Sequence, residues 1–334
     1  MNNKVKKRMK TLPIASALAL CCFLSGFSLN ALSQSANYPS KPIRLLIPFA
    51  PAGGADVTVR PIIQKLSDIL GQSIIYENRG GAGGILAGDL VAKAIPDGYT
   101  LLLGAVSVMT VSVNLMKKPP FDPVNDFSAI TKIADVPSLL AANSTFAPRT
   151  VKQIVEYAQS NPGKLVWGVS GMGSAGHLAM ERFRLDQKLN VIQILYKGAG
   201  PGTLALLSNE TQIMYGNPGV FLPHIKSGRL RAVATASSQR MNLMPDLPTF
   251  GEMGYAGYEN GSWYGLIAPA HTSKKIINQL YSTTNKILHD PDILSHLQRE
   301  GAIASGNTPE QFSQEIKREF LLAGKIIKAA DIHL

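Results

Sequence analysis

Three stretches of the chain combine glycine with small residues in patterns suited to holding an anion. The first is APAGGAD, Ala50 to Asp56, with Gly53 and Gly54 adjacent. The second is NRGGAGG, Asn78 to Gly84, with four glycines in its last five residues. The third is GMGSAG, Gly171 to Gly176. Glycine permits positive φ and lets a ligand come close to the main chain. Where such a turn leads into a helix, the first N–H groups lack intrahelical partners and can seat a carboxylate. Asp56 is placed to cap the helix after the first turn, and Ser174 the helix after the third. A plain tight connection is the rival reading of the first turn. The second has no Lys-Ser or Lys-Thr and is not a P-loop; a backbone-lined ligand loop is the preferred reading. GMGSAG matches a dinucleotide fingerprint literally. No Asp or Glu ends the next apolar run, VIQILYKG, where a ribose partner belongs, so the match is set aside.

Catalytic sets are thin. No G-x-S-x-G elbow and no H-E-x-x-H motif occur. The six histidines, at 177, 224, 271, 289, 296 and 333, have no metal-like spacing. His177, one turn into the Ser174 helix, is either structural or a ligand donor. Trp167 and Trp263 read as core or hinge residues. No catalytic residue, metal or cofactor is expected.

The glycine turns sit between short apolar runs and helical patterns. IRLLIPF, SIIYEN, YTLLLGAV, SLLAANS, KLVWGVS, VIQILYKG, LRAVATAS and SWYGLIAPA read as eight strands. Most are followed by a helix, which predicts α/β architecture with mostly parallel sheets flanked by helices. Ser107 to Asn114 reads as a polar stretch, and the chain after Ser273 as helices only. Pro61 lies about a turn into a helix and should weaken or bend it. KIADVPSLLAANSTF and NGSWYGLIAPA are candidates for segments crossing between two lobes. The chain would leave the first lobe near Val136 and return near Gly261, giving a cleft with two hinges.

The chain has 334 residues, 45% hydrophobic and 16% charged, which suits a folded core. Its start is basic, with Lys4, Lys6, Lys7, Arg8 and Lys10, followed by the apolar run LPIASALALCCFLSGFSL and then ALS. Residues 1–33 are therefore read as a signal peptide cleaved near Ser33, with an uncleaved anchor as the alternative. Without its five basic residues the formal charge falls from +11 to +6. There is no basic run with interleaved aromatics, which argues against nucleic acid. Cys21 and Cys22 both lie in this segment, so the exported protein would have no thiol chemistry. No later segment reads as a membrane span.

Long stretches of the chain resemble one family. They are YPSKPIRLLIPFAPAGGADVTVRP, NRGGAGGILAGDLVAKAIPDGYTLLLG, PPFDPVNDFSAITKIADVP, YAQSNPGKLVWGVSGMGSAGHLAMERF, YKGAGPG, IKSGRLRAVATAS, LPTFGEMGY and WYGLIAPA. Together they resemble the periplasmic substrate-binding receptors of tripartite tricarboxylate transporters, the Bug/TctC group. The resemblance implies a two-lobe periplasmic binding protein (Venus flytrap) fold with two crossover hinge segments. The lobes would be 34–137 plus 262–334 and 138–261. It implies a monomer that binds a small organic acid and delivers it to integral membrane transporter subunits. A sensory receptor signalling to a membrane kinase is the alternative, and an exported hydrolase a remoter one.

The site residues that the resemblance implies are, in the first lobe, Phe49, Ala50, Gly53, Gly54, Ala55 and Asp56, with Gly81, Ala82, Gly83 and Ser107. From the second lobe come Ser170, Gly173, Ser174, His177, Tyr196, Lys197, Tyr215, Gly216 and Asn217. The first-lobe loops would grip a carboxylate through backbone N–H groups and water. Two departures stand out. Many relatives carry Asp where this chain has Gly216, which implies a roomier cleft less suited to an ammonium group. The segment GAVSVMTVSVNLMKK also lacks the His-Ala-x-Asn-Pro type pattern of many relatives.

Overall fold

The computed structural model describes residues 38–332 except 50, 52, 53, 197, 238, 259 and 260, without the side chain of Ala82. The expected signal peptide lies outside the described residues. Residues Tyr38–Ser40 belong to a separate N-terminal unit in which the Tyr38–Pro39 peptide is cis.

From Lys41 the chain forms β1 (Ile43–Ile47), α1 (Gly54–Leu70), β2 (Ile74–Asn78), a 3₁₀ turn (Ala82–Gly84) and α2 (Ile85–Ala92). β3 (Thr100–Ala105) leads through a π turn (Ser107–Val111) into α3 (Ser112–Leu115). Then come β4 (Phe127–Pro137), β5 (Leu139–Asn143), α4 (Val151–Ser160), β6 (Val166–Val169), α5 (Ala175–Asp186), β7 (Ile192–Leu195) and α6 (Ala199–Leu207). β8 (Ile213–Gly216), α7 (Pro218–Lys226), β9 (Leu230–Thr235) and β10 (Gly261–Pro269) follow. α8 (Lys274–Leu288), α9 (Pro291–Arg299), β11 (Ile303–Ala304) and α10 (Pro309–Ala329) complete the order.

These strands make two mixed sheets flanked by helices. One has the order β11-β4-β10-β3-β1-β2, the other β7-β6-β8-β5-β9. In the first, β1 pairs in parallel with β2 and β3, while β10 runs antiparallel to β3 and β4. In the second, β6 pairs in parallel with β7 and β8, and β5 runs antiparallel to β8 and β9. The α/β expectation is borne out, with the sheets mixed rather than mostly parallel. β5 and β10, the first strands after the chain passes between the sheets, each run antiparallel to both neighbours, and β11 runs antiparallel to β4. Only Ser138 separates β4 from β5. Three strands were not among the eight expected: β4, read only as part of a crossing segment, β8 and β11. β8 is short, and the two-residue β11 corrects the all-helical reading of the C-terminal part.

Burial follows the patterns that predicted the elements. Ile43, Leu45, Leu46 and Ile47 of β1 are fully buried, as are Val59, Ile62 and Leu66 at helical spacing on α1. Pro61 does not end α1. Proline leaves the carbonyl four residues earlier without its usual N–H, and that carbonyl, Val57 O, is met by His296 Nε2 at 3.1 Å. A helix neighbour thus replaces the missing bond. α10 begins with a capping box at Thr308 and Gln311. Its Phe312 is fully buried edge-on to Trp263, with ring centroids 5.0 Å apart, and Trp263 Nε1 donates to Glu319 Oε2 at 2.6 Å. Trp263 and the fully buried Trp167 are core residues. Phe312→Ala should cost about 3–5 kcal/mol in denaturant unfolding. A loss under about 1 kcal/mol would show that α10 is not clamped to β10.

Candidate functional site

β1 ends in Pro48 and Phe49, and α1 starts at Gly54. Asn78 at the end of β2 donates from Nδ2 to Phe49 O at 3.1 Å, tying the two strand ends together. The Phe49 ring stands edge-on to Tyr264 of β10, with centroids 6.3 Å apart. A Cβ on Gly54 would lie 3.5 Å from Asn217 Nδ2 and 4.0 Å from the Tyr264 hydroxyl. Asn217 is the N-cap of α7, its Oδ1 accepting from Gly219 N at 2.9 Å. Gly54, at the start of α1 beside the six-stranded sheet, therefore faces the start of α7 beside the five-stranded sheet.

Two partners of Gly54 in the expected set are inward-facing. Ala55 is buried. Asp56, in the first turn of α1, is also buried, and both its oxygens lie 2.7 Å from Arg60 Nη2. That hydrogen bonding raises the Arg60 pKa. The Asp56 charge is thus neutralised within the helix.

The second and third glycine turns flank a single side chain. Gly83 has φ +65°, and a Cβ there would collide with Ser112 Oγ, which donates to Gly83 O at 3.2 Å. A Cβ on Gly173 would stand 3.3 Å from the same Ser112 Oγ and 3.2 Å from Leu115 Cδ1. Ala82 lies in the 3₁₀ turn, and Gly81 has φ +119° with nothing within 4 Å of a Cβ. The close approach of the turns is possible because Ser107–Leu115 is not a polar loop, which corrects that expectation. Val108, Met109, Val111 and Val113 are buried. Thr110 spends its hydroxyl on Val106 O at 2.7 Å. Ser107 Oγ is buried without a hydrogen-bond partner among the described residues.

Around GMGSAG the polar groups largely satisfy one another. Ser174 caps α5, accepting from His177 N at 3.1 Å, and His177 Nδ1 accepts from Gly173 N at 3.3 Å. His177 is buried, and burial holds its pKa below the ordinary 6.5, opposed by Glu181. It therefore acts as a neutral acceptor that fixes the turn. Ser170 O accepts from Gly198 N at 2.9 Å. A Cβ on Gly176 would lie 3.3 Å from Tyr215 O.

Three residues of the expected second-sheet set are engaged within the fold. Tyr196 donates its hydroxyl to Glu210 Oε1 at 2.9 Å, and burial with that bond pushes its pKa to about 12. The hydroxyl is committed to Glu210. The Tyr215 side chain is only 4% exposed, 5.6 Å from the Phe250 ring, and belongs to the core. Gly216 does not open space: a Cβ there would stand 2.7 Å from the Phe221 ring, which fills the volume. Lys197, Ala50 and Gly53 lie outside the described residues. Sequence reasoning missed Tyr264 and Ser112. Tyr264 sits in an apolar strand pattern that carries no polar signal, and Ser112 was one hydroxyl among several.

A separate cavity of about 760 Å3 lies between the segment after β9, the starts of the β4–β5 and β10 crossings, and α9 with β11. None of the expected site residues lines it. Its wall carries Asp135 and Glu319, whose carboxyl pKa values burial raises. Asp135 is held there by Lys132 Nζ at 2.8 Å and Glu319 by Trp263 Nε1, and Arg240 lines the same wall. Among the described residues no group of three His, Cys, Asp or Glu side chains could hold a metal. No described helix is long and apolar enough to cross a membrane.

Gly216→Asp should destabilise the fold by about 1–3 kcal/mol through overpacking against Phe221. The same change in a Phe221→Ala background should cost less, and additive losses would show that the two positions do not compete for space. His177 supplies a pH prediction. Its folded pKa lies below that of the unfolded chain, which takes up more protons as pH falls through about 6.5, so the fold loses stability there. Denaturation at about pH 7.5 and about pH 5.5 should show a larger loss for the wild type than for His177→Gln. Equal losses would count against it.

Residues 58–332 match the family model for the tripartite tricarboxylate transporter family receptor. Protein BugT of Bordetella pertussis is 33% identical over 301 residues, covering 89% of this chain and 92% of its own. Among solved structures, an R. palustris protein with adipate is 30% identical at TM-score 0.81, covering 89% of this chain and 99% of that one. MatC from Rhodopseudomonas palustris with bound malate is 29% identical at TM-score 0.78, covering 87% and 100%. The periplasmic binding protein BugD is 32% identical at TM-score 0.78, covering 89% and 99%. With most of its length matched in sequence and in fold, the chain belongs to the TctC family of tripartite tricarboxylate transporter receptors.

Proposed function

We propose that this chain is an exported receptor that closes around a small organic acid and hands it to integral membrane subunits of a tripartite tricarboxylate-type transporter. The observation that carries the reading is the meeting of two helix starts from two sheets. Gly54 of α1 and Asn217 of α7 face one another across 3.5 Å, measured to the Cβ position on Gly54. Helix N-termini carry unpaired N–H groups and partial positive charge, so their shared focus favours a carboxylate. The solved relatives with adipate and malate support the same ligand class.

The working parts are two lobes, 34–137 with 262–334 and 138–261, hinged where β4 passes to β5 and the chain returns through β10. A ligand that touches both lobes stabilises the closed state by its differential contacts. No catalytic residue is needed, and the polar side chains around GMGSAG are engaged with one another rather than arranged as nucleophile and base. Location in the periplasm follows from the signal-like start and the family. Transport is favoured over sensing because the family model is that of a transporter receptor.

Native mass spectrometry of the gently purified protein, followed by a thermal-shift screen of mono-, di- and tricarboxylates, tests the reading. At least one acid should co-purify or stabilise the fold; a ligand at about a hundred times its Kd adds roughly 2.7 kcal/mol. Absence of stabilisation by every acid, adipate and malate included, would overturn it.

A further inference from the structure

We propose that the cavity beside the two crossing strands is a second binding site, one that takes a small amine with an apolar body and seats its ammonium group against Glu319 and Asp135. The inference stands apart from the receptor reading, since it concerns a different pocket and a ligand of opposite charge.

The cavity, at about 760 Å3, has the size of a small-molecule site. Asp135 and Pro137 at the end of β4 and Gly261 and Trp263 at the start of β10 form one wall. The segment after β9 and the α9–β11 region form the others. Gly301, in the turn between α9 and β11, has φ +69°, and a Cβ there would stand 3.0 Å from Pro218 Cβ and 3.5 Å from Leu243 Cδ2. That turn therefore packs directly on α7 and on the segment after β9, which bounds the space on that side.

The charges around it do not balance. Asp135, Glu315 and Glu319 are three carboxylates near one ammonium, that of the buried Lys132. Lys132 Nζ reaches Asp135 at 2.8 Å and Glu315 at 2.7 Å. Among the described residues Glu319 accepts only from Trp263 Nε1, a neutral donor, at 2.6 Å. Arg318, next to it on α10, is exposed and acts on it less than Glu315 does. Arg240, which lines the cavity, is engaged elsewhere: its Nε donates to both Glu252 oxygens at 3.0 Å and its Nη1 to Pro245 O at 3.2 Å. Burial holds the Asp135 and Glu319 carboxyls above their ordinary pKa. Charge that is costly where it lies gains from a cation brought to it.

The rest of the lining is apolar and partly uncovered. Leu297 and Ala302 are buried, but Leu294 and Ile303, which line the same cavity, are 44% and 54% exposed. Covering large apolar side chains is favourable. A bare cation would leave Leu294 and Ile303 in water, and an organic acid would set its charge against Glu319. An amine with an apolar body satisfies both walls.

Isothermal titration of the purified protein with phenethylamine and hexylamine tests this, with phenethyl alcohol and phenylacetate as uncharged and anionic counterparts. At least one amine should bind the wild type with a Kd below about 1 mM, and the counterparts should bind at least about tenfold more weakly. Binding should also shift tryptophan emission, because Trp263 lines the cavity while the other tryptophan, Trp167, is fully buried in the core. Glu319→Gln keeps an acceptor for Trp263 Nε1 and removes the charge. It should weaken the amine about ten- to a hundredfold, the usual scale for a hydrogen bond to a charged group. Leu294→Arg, at an exposed position of α9, brings in a competing cation and should weaken it as well; this variant decides the matter if Glu319→Gln fails to fold. No binding of either amine, equal binding of the alcohol, or unchanged affinity in the deciding variant would overturn the proposal. Stabilisation by adipate or malate without any amine binding would overturn it alone and leave the receptor reading standing.

Discussion

The pairing of β4 with β10 is the constraint on which the rest of the molecule depends. It runs from Gly261 opposite Pro137 to Pro269 opposite Phe127. β4 continues into β5 of the other sheet, and β10 is where the chain returns from it. Side chains are missing from β10 where neighbours occupy the space. A Cβ on Gly261 would come 2.5 Å from Val136 O, and one on Gly265 would strike the Phe312 ring and stand 2.9 Å from Thr131 O. Glycine at these positions lets the strands and α10 press together. α10 then locks the pair through Trp263, Phe312 and Glu319, and through Lys132 Nζ, which reaches both Asp135 at 2.8 Å and Glu315 at 2.7 Å.

That ribbon also accounts for the position of Tyr264. The register of β10 against β4 shifts between Tyr264 and Gly265 and again between Leu266 and Ile267. Such irregularities re-aim side chains. Leu266 and Ile267 are wholly buried, whereas Tyr264 presents its hydroxyl to the first glycine turn. A strand whose main duty is to join two sheets thereby carries a polar group to the place where their helix starts meet. The second and third glycine turns meet on Ser112 by a related economy of space, since only residues without side chains can flank that hydroxyl on both sides.

Much of this was legible in the sequence. Glycine turns between an apolar run and a helical pattern stand out because few residues tolerate the conformations involved, and three of the Gly81–Gly84 positions have positive φ. The α/β class followed from alternating periods. What escaped has physical reasons. β11 is two residues long and carries no pattern. Ser107–Asn114 looked polar because Ser, Thr and Asn alternate with its apolar residues, yet Thr110, Ser112 and Asn114 spend their side chains on main-chain carbonyls and leave the valines to pack. Tyr215 and Tyr264 are the same residue type in similar apolar runs. Only tertiary packing decides that one joins the Phe250 cluster and the other faces the glycine turn. The consequence of Gly216 was equally hidden, since it depends on Phe221 folding back beneath it.

The central claim is that one small acid is held from both sheets at once. Hydrogen exchange of the backbone amides, followed with and without a saturating organic acid, addresses it directly. The account predicts slowed exchange in two separate segments together, the start of α1 at 54–60 and the β8–α7 junction at 216–220. Protection confined to one of these segments, or to neither, would contradict it.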